Sequence, residues 1–290
     1  MGSLAYVAPA TAEEAVRALA AADGLAKPLA GGTDLLAQLR TGRTRPDLIV
    51  DTKRIPGMIG VREAQGGFVI GAATPSAQLG EHPSLGAVWP GLVEAAGLIG
   101  STQIQGRATL AGNLCNASPA ADSVPAMMVA GVMCMIAGPD GEREAPVEAI
   151  CIAPGRTSLA KGEFITAFRL PPRKPNSGDA YLRFIPRTEM DIAVVGCGVS
   201  VTLSETGYCT KAHVALGAVA PTALLVPEAA DALIGRRLDE GALAALELAA
   251  RLACKPIDDK RGTAEYRIKV AGVLARRAAA IAFERAGATR

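Results

Sequence analysis

Residues 27–40 read KPLAGGTDLLAQLR, and this stretch decides the fold. The short apolar run at 27–30 suits a strand, Gly31 and Gly32 turn the chain, and Thr33–Arg40 carries a helical pattern. Strand, glycine turn and helix in that order leave bare backbone beside a helix start. Glycine lets the main chain approach a ligand closely, and the amides that open a helix point toward an anion favoured by the helix dipole. A pyrophosphate suits that geometry. A glycine pair at a strand–helix turn is also a common tight turn, so the stretch needs a second signal. It matches neither GxGxxG nor a phosphate-binding P-loop, which weakens nicotinamide and nucleoside-triphosphate readings.

Outward from it, Tyr6 and Val7 begin a strand, and Thr11 with Glu14 forms a capping box opening an Ala/Leu-rich helix. A further strand at 47–50 completes a compact βαβαβ-like unit. A strand at 68–72 precedes Thr74 and Pro75, a helix start, and 90–99 reads as helix. The second signal lies at 101–122, STQIQGRATLAGNLCNASPAAD, where small and amide side chains are interrupted by Gly106, Gly112 and Pro119. A loop of that length inside a domain is usually functional. A helix near 123–130, a strand at 132–137, a Pro-Asp-Gly turn at 139–141 and a closing segment at 162–170 follow.

The run 171–178, PPRKPNSG, interrupts every periodicity and marks a domain junction. Beyond it 180–185, 192–203 and 212–218 read as strands, and the last sixty residues read as helices, 261–287 being one amphipathic stretch. A small antiparallel sheet under a helical layer is the expected α+β arrangement.

Composition narrows the chemistry. Of 290 residues, 50% are hydrophobic but only 3% aromatic, which predicts a soluble globular protein with an aliphatic, Ala-rich interior. The net charge of +2 comes from 30 basic and 28 acidic residues scattered along the chain, against a nucleic-acid surface. No apolar run reaches membrane-span length, and MGSLAYVAPATAEEAV lacks a secretion pattern, so a cytoplasmic location is expected. The six cysteines, at 115, 134, 151, 197, 209 and 254, have no metal-ligand spacing and read as free thiols. With only His82 and His213, nucleophile–histidine and metal–histidine sites are poorly supported, and a bound cofactor is expected to carry the chemistry.

Taken jointly, AGGTDLLA at 30–37, TLAGNLCNASPAADSVPA at 109–126 and GDAYLRFIPRTEMDIAVVG after the junction resemble the FAD-binding medium subunits of the molybdenum hydroxylases, the xanthine dehydrogenase and CO dehydrogenase family. The resemblance spans almost the whole chain. It implies an α+β fold: a PCMH-type FAD-binding domain over 1–175, in subdomains of about 1–58 and 59–175, then a C-terminal domain of CO dehydrogenase flavoprotein type over 176–290. By the same resemblance the backbone of Ala30, Gly31, Gly32, Thr33 and Asp34, with Leu35, holds the FAD pyrophosphate. Thr109, Gly112 and Asn113, flanked by Ala108 and Ala111, contact the diphosphate and its surroundings. Ile99, Cys115 and Ile165 pack around the rings, and Asp122 accepts from hydroxyls of the adenosine portion, its alternative being a helix cap before Ser123. The second domain would bring Phe184, or Arg183 and Arg187, near the flavin. Val194 stands where some relatives carry lysine, so no role of that lysine transfers.

The resemblance further implies an electron-transfer role without catalytic or metal-binding side chains in this chain. A large molybdenum-cofactor subunit and a small [2Fe-2S] subunit would be the partners, assembled as a dimer of heterotrimers. A self-contained flavin reductase or oxidase of the same fold is the alternative, and a binding module without redox turnover a further one. Substrate (CO, aldehyde, purine or N-heterocycle) and terminal acceptor stay open.

Overall fold

The computed structural model describes residues 4–287. The amino-terminal elements are β1 (Ala5–Val7), α1 (Ala12–Ala21), β2 (Ala26–Leu29), α2 (Thr33–Arg40) and β3 (Leu48–Asp51). The three strands form a parallel sheet in the order β1-β3-β2, so the βαβαβ-like reading corresponds to a real layer. The Thr11 cap is also present, but the reciprocal half of the expected capping box is shifted by one residue, to Ala10. The Thr11 side chain accepts from the Glu14 amide at 3.2 Å, and a Glu14 carboxylate oxygen accepts from the Ala10 amide at 2.9 Å.

Next come β4 (Val61–Ala64), β5 (Gly67–Gly71), α3 (Ser76–Glu81), α4 (Leu85–Val88), α5 (Pro90–Ala96), α6 (Thr102–Gln105), α7 (Leu110–Cys115) and α8 (Ser123–Val129). They are followed by β6 (Met133–Gly138), β7 (Gly141–Pro146), a small hairpin of β8 (Cys151–Ala153) and β9 (Arg156–Thr157), and β10 (Phe164–Leu170). An antiparallel sheet in the order β4-β5-β10-β6-β7 carries this part, with β10 returning to its centre. The segment 101–122 is less loop-like than its composition suggests, because two short helices, α6 and α7, are folded into it. The helix expected at 90–99 stops at Ala96, just before Gly97. Strands β4 and β7, VREA and GEREAP, are largely exposed edges with no apolar alternation to announce them.

The remaining elements are β11 (Ser177–Phe184), β12 (Val195–Leu203), β13 (Cys209–Gly217), β14 (Leu224–Leu225), α9 (Pro227–Asp231), α10 (Glu240–Ala253) and α11 (Ala264–Arg285). The strands make one antiparallel sheet in that order, and α11 lies across β11 and β12. Its buried residues include Ala271, Gly272, Ala275, Ala278, Ala279 and Ala282, alongside the larger Arg267, Leu274 and Phe283. Small residues permit a close approach: a Cβ on Gly178 of β11 would stand 1.9 Å from the Ala282 carbonyl oxygen. Larger side chains fill the rest of the interior. Fully enclosed ones such as Phe168, Ile70, Leu92 and Phe283 each contribute about 1.5–3 kcal/mol by leaving water. All six cysteines are free thiols, and among the described residues no helix is long and apolar enough to cross a membrane.

Two core clusters result, one built on the first two sheets and one on the β11–β14 sheet with α9–α11. Where they meet, α5 packs on β11 and α8 on β12 and β13. A Cβ on Gly91 of α5 would lie 2.9 Å from the Ala180 amide nitrogen, and one on Gly198 of β12 would lie 2.8 Å from the Pro125 carbonyl oxygen. The seam is therefore closed by backbone touching backbone. Both histidines are absorbed locally: His82 Nδ1 accepts from the Leu85 amide at 3.1 Å, and the His213 ring pairs with the Val129 carbonyl at 3.2 Å.

Candidate cofactor site

A cavity of about 630 Å³ opens between the parallel sheet and the α6–α7 region. That volume lies in the range of small-molecule sites, about 300–1,000 Å³. Its first wall is the turn from β2 into α2. Gly32 caps the helix in the left-handed region, at φ +81°, where a side chain would be strained, and it offers no side-chain oxygen to the helix amides. Among the described residues the amides from Gly31 to Leu35 have no acceptor; the first internal bond runs from the Leu36 amide to the Gly32 carbonyl at 2.9 Å. Consecutive free N–H groups at the positive end of a helix form an anion cradle.

The second wall is Thr109 leading into α7. The Thr109 side chain accepts from the Gly112 amide at 2.9 Å and its carbonyl from the Asn113 amide at 3.0 Å, so the Gly112 turn is held before any ligand arrives. Asn113 is aimed by Ser123, whose amide and hydroxyl both donate to Asn113 Oδ1, at 3.1 and 2.7 Å. The two walls are keyed together. A Cβ on Gly31 would fall 1.9 Å from the Arg107 carbonyl oxygen, a backbone atom that cannot swing away. Gln38 Nε2 also donates to Asn116 Oδ1 at 2.8 Å.

Apolar lining comes from Ile99, Ile165, Met58, Ala72, Ala108 and Ala111, and charged lining from Lys27, Arg43, Lys161, Asp34 and Glu163. Cys115 also lines the cavity. Burial, with Cys151 nearby, pushes its thiol up to about 12, so it stays protonated and unreactive at neutral pH. A cavity with an amide cradle on one side, aliphatic surfaces on the other and no activated nucleophile fits an elongated cofactor with a diphosphate and flat rings.

Of the residues singled out from sequence, Ala30, Gly31, Gly32, Thr33, Asp34, Leu35, Ile99, Ala108, Thr109, Ala111, Gly112, Asn113, Cys115 and Ile165 converge on this one cavity. Asp122 and Phe184 do not line it. Asp122 ends on the seam, its Oδ2 accepting from Arg183 at 3.0 Å and its Oδ1 from the Tyr181 hydroxyl at 3.4 Å. Arg183 also donates to the Leu98 carbonyl at 2.8 Å. Burial raises Asp122 to about 6 even though Arg183 opposes the shift. Asp122 precedes α8 but makes no side-chain cap. Phe184 packs edge-on against Tyr266, with 6.0 Å between centroids. Arg187 pairs with Asp191, and Val194 is buried with its carbonyl accepting from Arg267 at 2.7 Å.

Lys27, Gln38, Arg43, Met58, Ala72, Asn116 and Lys161 join the lining without having been expected there. Lys27 and Gln38 flank the recognised segment and Asn116 sits inside the second, so proximity in sequence was their available signal. Lys161 reaches the cavity only because β10 returns to the middle of its sheet.

Comparison with known proteins covers nearly the full length of the chain. Residues 2–173 match the model described as "FAD binding domain in molybdopterin dehydrogenase", and 180–282 match "CO dehydrogenase flavoprotein C-terminal domain". The chain is 35% identical to the carbon monoxide dehydrogenase medium chain of Afipia carboxidovorans over 285 residues, covering 98% of each. It is 31% identical to the xanthine dehydrogenase FAD-binding subunit of Escherichia coli O157:H7, covering 97% of each. Among solved structures, a carbon monoxide dehydrogenase of Hydrogenophaga pseudoflava superposes with a TM-score of 0.92 at 33% identity, covering 97% of this chain and 98% of that one.

Proposed function

The chain belongs to the family of FAD-binding flavoprotein subunits of molybdenum hydroxylases, and from this premise we propose that it is the electron-transfer subunit of such an enzyme. Electrons would come from [2Fe-2S] clusters in a small partner subunit, after substrate oxidation at the molybdenum cofactor of a large one, and leave to an external acceptor. The assembly would be a dimer of these heterotrimers in the cytoplasm. Residues 1–175 would hold the cofactor, with subdomains meeting near residue 58, and 176–290 would form the second domain.

Bound FAD supplies redox chemistry that exchanges one or two electrons, linking single-electron clusters to a two-electron acceptor. The residues do the holding. In this proposal the backbone of Ala30, Gly31, Gly32, Thr33 and Asp34, with Leu35, receives the pyrophosphate. Thr109, Gly112 and Asn113, with Ala108 and Ala111, close over it from the other wall, and Ile99, Cys115 and Ile165 supply apolar surface for the rings. Asp122, at the seam, is assigned support of the Leu98–Ile99 wall through Arg183, and Phe184, packed on Tyr266, support of the second domain. The observation that carries the reading is the unpaired run of amides from Gly31 to Leu35 on the cavity wall.

The test is purification of the chain with whatever accompanies it, a visible spectrum before and after dithionite, and assay of FAD, iron and molybdenum per polypeptide. FAD on this chain, with iron and molybdenum confined to accompanying chains, is the expected outcome. A folded chain that takes up no FAD on reconstitution overturns the proposal, and reduction of its flavin by an organic substrate without partners favours the self-contained flavoenzyme.

A further inference from the structure

The cradle works only if the Ala30–Gly31 peptide faces the right way, and a side chain outside the cavity controls that orientation. Lys53 lies in a single 3-10 turn, Thr52–Arg54, directly after β3. Its Nζ donates to the Ala30 carbonyl oxygen at 3.1 Å. The ammonium is itself fixed by Asp51 Oδ1 at 2.7 Å, and Asp51 Oδ2 accepts from the Tyr6 hydroxyl at 2.7 Å. Strands β2 and β3 are neighbours with Leu29 opposite Asp51, so Lys53 reaches from one strand end to the next without crossing the cavity.

The C=O and N–H of a trans peptide share one plane and point to opposite sides. A cation bound to the Ala30 oxygen therefore directs the Gly31 N–H away from itself and fixes the first amide of the unpaired run. Gly31 needs that outside restraint. It has no side chain to limit its own backbone, and none can be added, because a Cβ there would meet the Arg107 carbonyl at 1.9 Å. A charged donor on the carbonyl also polarises the peptide and strengthens its N–H as a donor.

We infer that Lys53, held by Asp51 and Tyr6, is a positioning residue that sets the Ala30–Gly31 peptide for the pyrophosphate of the cofactor; the inference rests on the FAD reading above. Its effect is confined to ligands that carry the diphosphate.

The test uses the full chain stripped of flavin and measures dissociation constants for FAD, ADP and riboflavin. Lys53→Met keeps most of the side-chain length and removes the donor; FAD and ADP should each weaken about tenfold while riboflavin is unchanged. Lys53→Arg should return FAD to within about threefold of wild type, because it restores a cationic donor. Unaltered FAD binding by K53M, or an equal loss for all three ligands, overturns the inference. If K53M does not fold, Tyr6→Phe supplies the same comparison: a loss of about threefold confined to FAD and ADP supports it, and no loss overturns it. Failure of the wild-type chain to bind FAD and ADP removes the FAD reading itself, and the inference falls with it.

Discussion

At the cavity wall the amides of Gly31 to Leu35 have no acceptor among the described residues, whereas at the seam between α8 and β11 both oxygens of Asp122 are engaged, by Arg183 and Tyr181. Asp179, deeper in the same seam, is likewise paired with Arg173 at 2.6 Å. Both regions are polar, yet the wall, open enough that α2 buries none of its residues, leaves its hydrogen-bonding capacity free while the buried Asp122 at the seam has its capacity satisfied internally. An enclosed polar group is costly without a partner, so an unpaired run survives only where a ligand or water can reach it. The difference separates a surface whose donors stay free from one whose charges are paired between the two core clusters, and each region can be broken separately.

The largest effect is expected at the seam. Arg183→Met leaves the Asp122 carboxylate buried without its cation and should cost about 3–5 kcal/mol in chemical denaturation of the full chain. A cost below about 1 kcal/mol would show that the pair is not a committed one. Next comes the wall. Gly31→Ala forces its Cβ against the Arg107 carbonyl and should weaken FAD at least about a hundredfold, with a lowered melting temperature of the flavin-free chain as the two walls part. If FAD affinity held, the keyed walls would not be the cradle.

The smallest effect is a pH dependence. Folding raises the Asp122 pKa, through burial, to about 6, so the folded chain holds that proton more tightly than the unfolded one. This favours folding at pH below the ordinary carboxylate range and is lost as pH rises through about 6. Relative to Asp122→Asn, wild-type stability should therefore fall by about 2–3 kcal/mol between about pH 4 and pH 7, read from paired denaturation curves. A gap that stayed constant or widened with pH would mean that Arg183 outweighs burial. The comparison would then rest on a seam whose charges stabilise it.

Much of this was legible from the chain. Glycine turns, helix caps and apolar periodicity depend on residues close in sequence, so 27–40, as strand, turn and helix, and the Thr11 cap carried their meaning on their own. The family resemblance likewise came from segment order, and the comparisons show that family. Only the tertiary structure decided that Gly31 abuts Arg107, that Lys53 reaches the Ala30 carbonyl, that Asp122 meets Arg183, and that the segment leading into β10 brings Lys161 to the cavity. Those contacts join residues far apart in the chain. A side chain's partner is set by strand order and sheet packing, which local pattern does not encode. Asp122 preceding a helix reads as a ligand or a cap, and its pairing with Arg183 emerges only when β11 is laid beside it.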